Sequence, residues 1–106
     1  MVANVKDKAV IVGVGNTKFS KDSGVSELSL AVQAIKTALD DSGLKPSDVD
    51  GMVTFTMDSN DEIEVARALG CGGLNFWGRS HYGGGAATGT LHQAVMAIAT
   101  GMAEVV

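Results

Sequence analysis

Three consecutive glycines, Gly83, Gly84 and Gly85, constrain the fold of this chain more than any other feature. Residues 74–82 before them have the mixed polarity of a partly covered strand, and residues 85–102 after them carry apolar side chains at helical spacing. A glycine turn between a strand and a helix is a frequent binding site in α/β proteins, because backbone N–H groups at the helix start point into it. We therefore expect a functional site at this turn, although the turn itself supplies no reactive side chain.

The remaining chain alternates apolar runs with amphipathic segments. β-Branched and aromatic runs, or their beginnings, predict strands at residues 8–15, 52–56, 74–82 and 103–106. Helices are predicted between the N-cap Ser26 and the closing Gly43, at residues 62–69, and from about residue 85 to 102. The order β-α-β-α-β-α-β predicts an α/β fold in which helices cover a parallel sheet.

Composition limits the class of protein. With 106 residues, of which 45% are hydrophobic, the chain has enough apolar side chain for one domain. Its net charge is −4 and its basic residues are scattered, which argues against nucleic acid or an anionic membrane as a partner. No window approaches the roughly 20 apolar residues of a membrane span. The single cysteine, Cys71, permits neither an internal disulfide nor a multi-cysteine zinc site, which favours a reducing, cytoplasmic setting.

Three further signals have both a functional and a structural interpretation, and we favour the structural one for each. The Gly-Val-Gly sequence at residues 13–15 matches part of a dinucleotide fingerprint, but the third glycine is missing, as expected of a tight exit from a strand. The acidic residues within 58–64 do not have the spacing of an oxygen-ligand loop, so no metal site is predicted. Cys71 lies before the third predicted strand, away from the edge where strand ends gather, so a structural thiol is favoured over a nucleophile.

Several stretches, taken in order, resemble the amino-terminal half of a thiolase. The closest resemblance is to the sterol-carrier-protein thiolase-like branch, also described as non-specific lipid-transfer-protein-like. The stretches are residues 10–19, 28–43, 48–51, 97–101 and 103–106. The resemblance implies that residues 1–106 form an incomplete thiolase-like amino-terminal domain. The loop domain and the carboxy-terminal half would be absent, so the isolated chain would be catalytically inactive.

The resemblance also assigns a meaning to the glycine turn. In thiolases a nucleophilic cysteine begins the helix after the third strand, and counting back from Ile98 and Gly101 places Gly84 at that position. The branch includes steroid side-chain aldolases, which split a β-hydroxyacyl-CoA by a retro-aldol step without an acyl-enzyme. The resemblance thus implies substrate binding at Gly83, Gly84 and Gly85, with N–H groups near the last two polarising the thioester. The resemblance identifies no base; His81 and Tyr82 are weak catalytic candidates by their chemistry and adjacency to the turn, with a structural or interface role equally open for each, whereas a packing or surface role is favoured for His92.

Partners and alternatives follow from the same resemblance. Thiolases dimerise through the third strand, which implies a homodimer interface at Asn75, Phe76, Trp77, Arg79 and His81. The branch also binds a small zinc-ribbon/OB-fold protein associated with acyl-CoA chemistry. Coenzyme A would enter as part of the substrate, with no covalently bound cofactor. Two other functions stay open: a non-catalytic lipid or acyl-CoA binding subunit, and an ordinary acyl-transferring thiolase in which a gap has hidden the cysteine.

Overall fold

A computed structural model describes residues 4–57 and 59–106 of the chain. Asp58, one of the acidic residues weighed as a metal ligand, lies outside the described residues. The principal elements are α1 (Glu27–Ser42), β1 (Gly51–Phe55), α2 (Glu62–Leu69), β2 (Phe76–Ser80) and α3 (Gly89–Ala99). Two single-turn 3-10 helices, Pro46–Asp48 and Gly84–Ala86, precede β1 and α3.

Strands β1 and β2 pair in parallel, with Gly51 opposite Phe76 at one end and Phe55 opposite Ser80 at the other. This pair confirms the α/β class and the parallel sheet. Because successive side chains of a strand point to opposite faces, Ser80 lies on the face that α3 covers, and Arg79 lies on the face that contacts α2. The short sheet is thus covered on both faces.

The main core lies between α1, α2 and β1. Its buried members are Leu39, Val49, Met52, Val65, Ala66 and Leu69. The helical stripe predicted on α1 is confirmed, because three of its residues (Leu28, Val32, Ile35) pack against this cluster around the buried Leu39.

Helix ends follow the local signals in the sequence. The hydroxyl of Ser26 accepts a hydrogen bond from the N–H of Ser29 at 3.1 Å, and Gly43 ends α1 with φ of 77°. Gly70 closes α2 in the same left-handed conformation, with φ of 82°. Helix α1 begins and ends where its capping residues predict, and the bounds of α2 match the predicted residues 62–69.

The predicted first strand, residues 8–15, is wrong. This segment is extended but pairs with no strand in the described chain, and Val10 is 78% exposed. It lies instead against α1: a Cβ on Gly13 or Gly15 would overlap the helix backbone, and the N–H of Val14 donates to the carboxylate of Asp41 at 3.0 Å. Contact with the helix therefore replaces the predicted place at the centre of the sheet.

The predicted fourth strand, residues 103–106, is also wrong. The carbonyl of Val105 accepts hydrogen bonds from the N–H groups of Asp50 and Gly51, both at 3.0 Å, so the backbone of the segment bonds to the beginning of β1 without running alongside it as a strand. The carboxylate of Asp50 returns bonds to the N–H groups of Glu104 and Val105, at 3.0 and 2.9 Å. These side-chain bonds occupy the donors that a strand ladder would use.

The last helix begins later and ends earlier than predicted. The glycines form a 3-10 turn, and α3 starts at Gly89 rather than at residue 85. The hydroxyls of Thr88 and Thr90 donate to the carbonyls of Gly85 and Ala87, at 2.9 and 2.8 Å.

None of the helices in the described ranges has both the length and the apolarity needed to cross a membrane.

Candidate functional site

The glycine turn lies directly after the carboxyl end of β2. Tyr82 and Gly83 both have positive φ angles, of 62° and 71°. A positive φ is uncommon for a bulky residue such as tyrosine, so the chain reverses here at some conformational cost. Tyr82 is 83% exposed, and its ring lies 5.8 Å from that of His81. The two candidate catalytic residues therefore lie side by side just before the glycines, and both are exposed.

The free backbone N–H groups of the turn include those of Gly84 and Gly85. The N–H of Ala86 donates to Gly83 at 3.1 Å and that of Ala87 donates to Gly84 at 3.4 Å, which closes the 3-10 turn. The N–H groups of Gly84 and Gly85 make no hydrogen bond to any residue that the structure describes. They are two neighbouring donors available to an anionic or carbonyl oxygen.

The space above the turn is open. A Cβ built on Gly83, Gly84 or Gly85 would meet no atom within 4 Å. Of the three, only Gly83 has a positive φ. The described part of the fold therefore has room for a side chain at position 84.

The base of the turn is held by a contact between β2 and α3. The side-chain amide of Gln93 donates to the hydroxyl of Ser80 at 3.1 Å, and Ser80 is only 6% exposed. A Cβ on Gly78 would overlap the side-chain oxygen of Gln93. Glycine inside a strand often marks a close approach of this kind, so Gly78 signals that something approaches β2 here, although it does not identify Gln93 as the partner.

A groove of about 430 Å³ lies beside the turn. Its wall includes Ser80, His81, His92, Gln93 and Met96. His92 is exposed, as predicted, and it lines the same groove as His81. A second cavity, of about 290 Å³ between β1, α1 and α3, has no titratable side chain in its wall. The groove at the turn is therefore the better candidate for chemistry.

The opposite face of β2 carries an ion-pair cluster that the sequence did not predict. The guanidinium of Arg79 contacts the carboxylates of Asp61 at 2.8 Å and Glu62 at 3.0 Å. The hydroxyl of Thr54 also donates to Glu62, at 2.6 Å. Burial acts to raise the pKa of Glu62, but the hydrogen bonds from Thr54 and Arg79 outweigh it and leave that pKa below its ordinary value.

The five residues predicted for a dimer interface have different surroundings. Trp77 is 65% exposed and lines a shallow cavity with Ile63 and Leu74. Arg79 is engaged by the acidic residues of α2, and the amide of Asn75 donates to Asp50 at 3.3 Å. The structure describes neither a partner chain nor a contact between copies, so the interface stays a prediction.

Cys71 is remote from the turn along the sheet. It follows α2, packs against the main core, and lies before the first residue of β2, whereas Gly84 lies after the last. The five residues of β2 separate these ends by about 16 Å at the usual rise of a strand. Burial raises the pKa of the Cys71 thiol, which disfavours the reactive thiolate.

Among the described residues, no three His, Cys, Asp or Glu side chains gather as a metal site would require.

Comparison with known proteins identifies close relatives. No protein-family model matches the chain. It is 61% identical over 99 residues to a 17-hydroxy-3-oxo-4-pregnene-20-carboxyl-CoA lyase of Mycobacterium tuberculosis, covering 93% of this chain and 26% of that protein. It is also 61% identical over 98 residues to a steroid side-chain-cleaving aldolase of Thermomonospora curvata, covering 92% of this chain and 25% of that protein. The chain thus spans about a quarter of the length of the curated relatives it matches.

Solved structures agree in fold. The chain superposes with a TM-score of 0.85 and 61% identity on an Ltp2-ChsH2(DUF35) aldolase, covering 89% of this chain and 25% of that one. It superposes with a TM-score of 0.69 and 28% identity on a monomeric SCP2-thiolase like protein type 1 from Mycobacterium smegmatis, covering 86% of this chain and 20% of that one. The thiolase-like relation is confirmed. The matches cover only part of each relative, which agrees with a partial thiolase-like unit but does not establish that this part is the amino-terminal half. The chain is therefore similar over most of its length to part of steroid side-chain-cleaving aldolases, and it has a thiolase-like fold.

Proposed function

We propose that this chain is the amino-terminal part of a thiolase-like aldolase that cleaves a β-hydroxyacyl-CoA bearing a steroid or branched side chain. The observation that carries this proposal is the 61% identity to a lyase and an aldolase of steroid side chains. Because the match spans 99 of 106 residues, it includes the glycine turn. The name of the first relative specifies a hydroxylated carboxyl-CoA, which agrees with the proposed substrate class.

The proposed reaction needs no covalent intermediate. A base removes the proton from the β-hydroxyl group, the bond between the α and β carbons breaks, and the β carbon becomes a carbonyl carbon. The electron pair of the broken bond passes to the thioester as an enolate, and the α carbon then takes up a proton. No oxidant or reductant is consumed. Negative charge develops on the thioester oxygen, so the transition state requires hydrogen-bond donors there.

The free N–H groups of Gly84 and Gly85 support a role as those donors. They are adjacent, exposed and without a protein acceptor in the described chain, as a site for a developing oxyanion requires. The surroundings of both residues are open, because a Cβ on either would meet no atom within 4 Å. The loss of one such donor in an acyl-transfer site typically lowers kcat by about 100- to 1,000-fold.

The base is proposed among the polar side chains beside the turn. His81 and Tyr82 are exposed and adjacent to it, and an imidazole or a phenolate can accept a hydroxyl proton. Residues from the part of the protein beyond this chain would complete the site. The isolated chain is accordingly proposed to be inactive.

Two partners are proposed. The name of the solved aldolase joins Ltp2 with ChsH2(DUF35), which supports a second protein component for this chain as well, and we propose that it is the small zinc-ribbon/OB-fold protein expected from the resemblance. A homodimer is proposed through β2, whose only strand neighbour in the described chain is β1, with the exposed Trp77 beside the open edge. We further propose that coenzyme A enters as part of the substrate and that the protein carries no covalently bound cofactor. The proposed location of the protein is the cytoplasm.

Steady-state cleavage of a β-hydroxyacyl-CoA tests the proposal. The protein that carries this chain, with its partner component, should release a carbonyl product and a shortened acyl-CoA without added free CoA. Strict dependence on free CoA, or a trapped acyl-cysteine, would contradict a retro-aldol step and favour an ordinary thiolase. The Cys71→Ser variant serves as control and should keep full turnover, because the structure separates its thiol from the turn. A complete absence of turnover with retained acyl-CoA binding would favour the non-catalytic binding subunit.

A further inference from the structure

The contact between Gln93 and Ser80 closes a loop that contains the whole glycine turn. Ser80 is the last residue of β2, and Gln93 lies on α3, 13 positions further along the chain. The side-chain amide of Gln93 donates to the hydroxyl of Ser80 at 3.1 Å. Ser80 is a buried polar side chain within the described residues, so the bond is shielded from competing water.

Two glycines make this contact geometrically possible. Gly78 leaves the space in which the side-chain oxygen of Gln93 lies, since a Cβ there would overlap that oxygen. Gly89, the first residue of α3, lies over the hydroxyl of Ser80, and a Cβ on it would come within 3.3 Å of that oxygen. The side chains of Ser80 and Gln93 thus fit a space that both neighbouring backbones leave open.

Little else holds the loop in place. In the described chain, the hydrogen bonds made by residues 81–88 join them only to one another and to the first turn of α3. His81 and Tyr82 are both exposed, and Gly83, Gly84 and Gly85 have no neighbouring atom at their Cβ positions. The position of the turn relative to the sheet therefore depends on how its two ends are joined.

We propose that Gln93 is a positioning residue that fixes the glycine turn relative to β2. The bond to Ser80 fastens α3 at the base of the loop, and this restricts the positions that the free N–H groups of Gly84 and Gly85 can take. The catalytic consequence rests on the proposed function, because a donor displaced by about 1 Å costs roughly 100-fold in rate. The structural consequence, a looser turn, does not depend on it.

Two variants of the full protein in complex with its partner component test the role. Gln93→Leu removes the donor while keeping an unbranched Cβ and a similar size. Gly78→Ala leaves both bonding residues intact but puts a methyl group where the Gln93 oxygen lies. The matched control is Gln33→Leu, because Gln33 makes the same amide-to-serine bond on the surface of α1, to Ser29 at 3.1 Å.

Both test variants should lower kcat by roughly 10- to 100-fold with KM changed less than about twofold, because the donors act in the transition state. The double variant should lose no more than either single variant, since both act on one contact. Amide exchange at residues 86–91 should rise in both, because N–H groups of this segment are bonded within the turn and into α3. Gln33→Leu should change neither quantity.

Unchanged kcat together with unchanged exchange in folded Gln93→Leu would overturn the proposal, and so would additive losses in the double variant. Should Gln93→Leu fail to fold, Gly78→Ala decides the same question. Should the parent protein cleave no β-hydroxyacyl-CoA, the proposed function fails. The exchange measurement then decides the positioning role by itself: a rise confined to residues 86–91 supports it, and no rise refutes it.

Discussion

Replacing Gly84 tests the structure of the turn and the proposed reaction together. A Cβ on Gly84 would meet no atom within 4 Å, and its φ lies outside the positive range. Gly83 has equal space but a φ of 71°. The pair Gly84→Cys and Gly83→Cys, both made in a Cys71→Ser background, therefore differs in backbone strain and hardly at all in crowding.

The expected magnitudes follow from these conformations. Substituting a glycine whose backbone suits an L-residue stabilises a protein by about 0.4–1 kcal/mol, because the unfolded chain loses freedom. Gly84→Cys should thus raise the free energy of unfolding slightly or leave it unchanged. Gly83→Cys forces a side chain into a backbone conformation, with φ of 71° and ψ of 156°, that is essentially confined to glycine, which costs about 1–3 kcal/mol. The two variants should differ by about 2 kcal/mol in urea unfolding.

Gly84→Cys should lower the rate of cleavage even though it leaves the free energy of unfolding unchanged or slightly raised. If the substrate occupies the open space, the added CH₂–SH group crowds it, and overpacking of about 1–3 kcal/mol corresponds to roughly 10- to 100-fold in kcat/KM. The new thiol should also react readily with iodoacetamide, since Gly84 is exposed. Equal destabilisation by the two variants would refute the turn geometry. Full cleavage of a bulky substrate by Gly84→Cys would refute the proposed use of the space.

Three further predictions concern the scaffold and the interface. Burial acts to raise the pKa of Asp50, but hydrogen bonds from the N–H groups of Val105 and Glu104 outweigh burial, so the pKa of Asp50 is lowered. The stability that the Asp50 carboxylate contributes should therefore be present above about pH 4 and lost as acid protonates the carboxylate. Asp50→Asn should abolish this part of the acid dependence in a pH series of urea unfolding. Glu62→Ala removes the half-buried carboxylate through which α2 binds Thr54 of β1 and Arg79 of β2, and it should cost about 1 kcal/mol in the same assay, with a cost indistinguishable from zero contradicting the contact. Trp77→Lys should abolish the proposed dimer in sedimentation equilibrium without lowering the melting temperature, whereas a persisting dimer would exclude this edge as the interface.

Elements fixed by local signals were predictable from the sequence. The N-cap Ser26 and the left-handed Gly43 mark the ends of α1, and both signals act within one turn of the helix. The bounds of α2 were also predicted, because Gly70 ends the helix by its own conformation. Strands β1 and β2 were found within two residues of their ends, since β-branched and aromatic runs with bordering turns need no distant information.

Elements that depend on distant neighbours were not predictable. Residues 8–15 have the composition of a buried strand, but a strand exists only where another backbone offers its hydrogen bonds, and here the segment lies along α1. The contact of Gln93 with Ser80 joins positions 13 apart across the turn, and no periodicity in the sequence encodes it. The ion pair between Arg79 and Glu62 likewise could not be predicted without knowing how α2 packs on β2.

The three glycines of the turn differ in why they are glycine. Gly83 is required by the backbone, because its φ of 71° is one that L side chains rarely adopt. Gly84 and Gly85 are required by neither conformation nor space in the described chain, since a Cβ on each would meet no atom within 4 Å. Their identity is therefore best explained by what approaches the turn from outside. A bulky acyl group seated against two free N–H groups would need that open space, which ties the missing side chain at position 84 to the proposed substrate rather than to the fold.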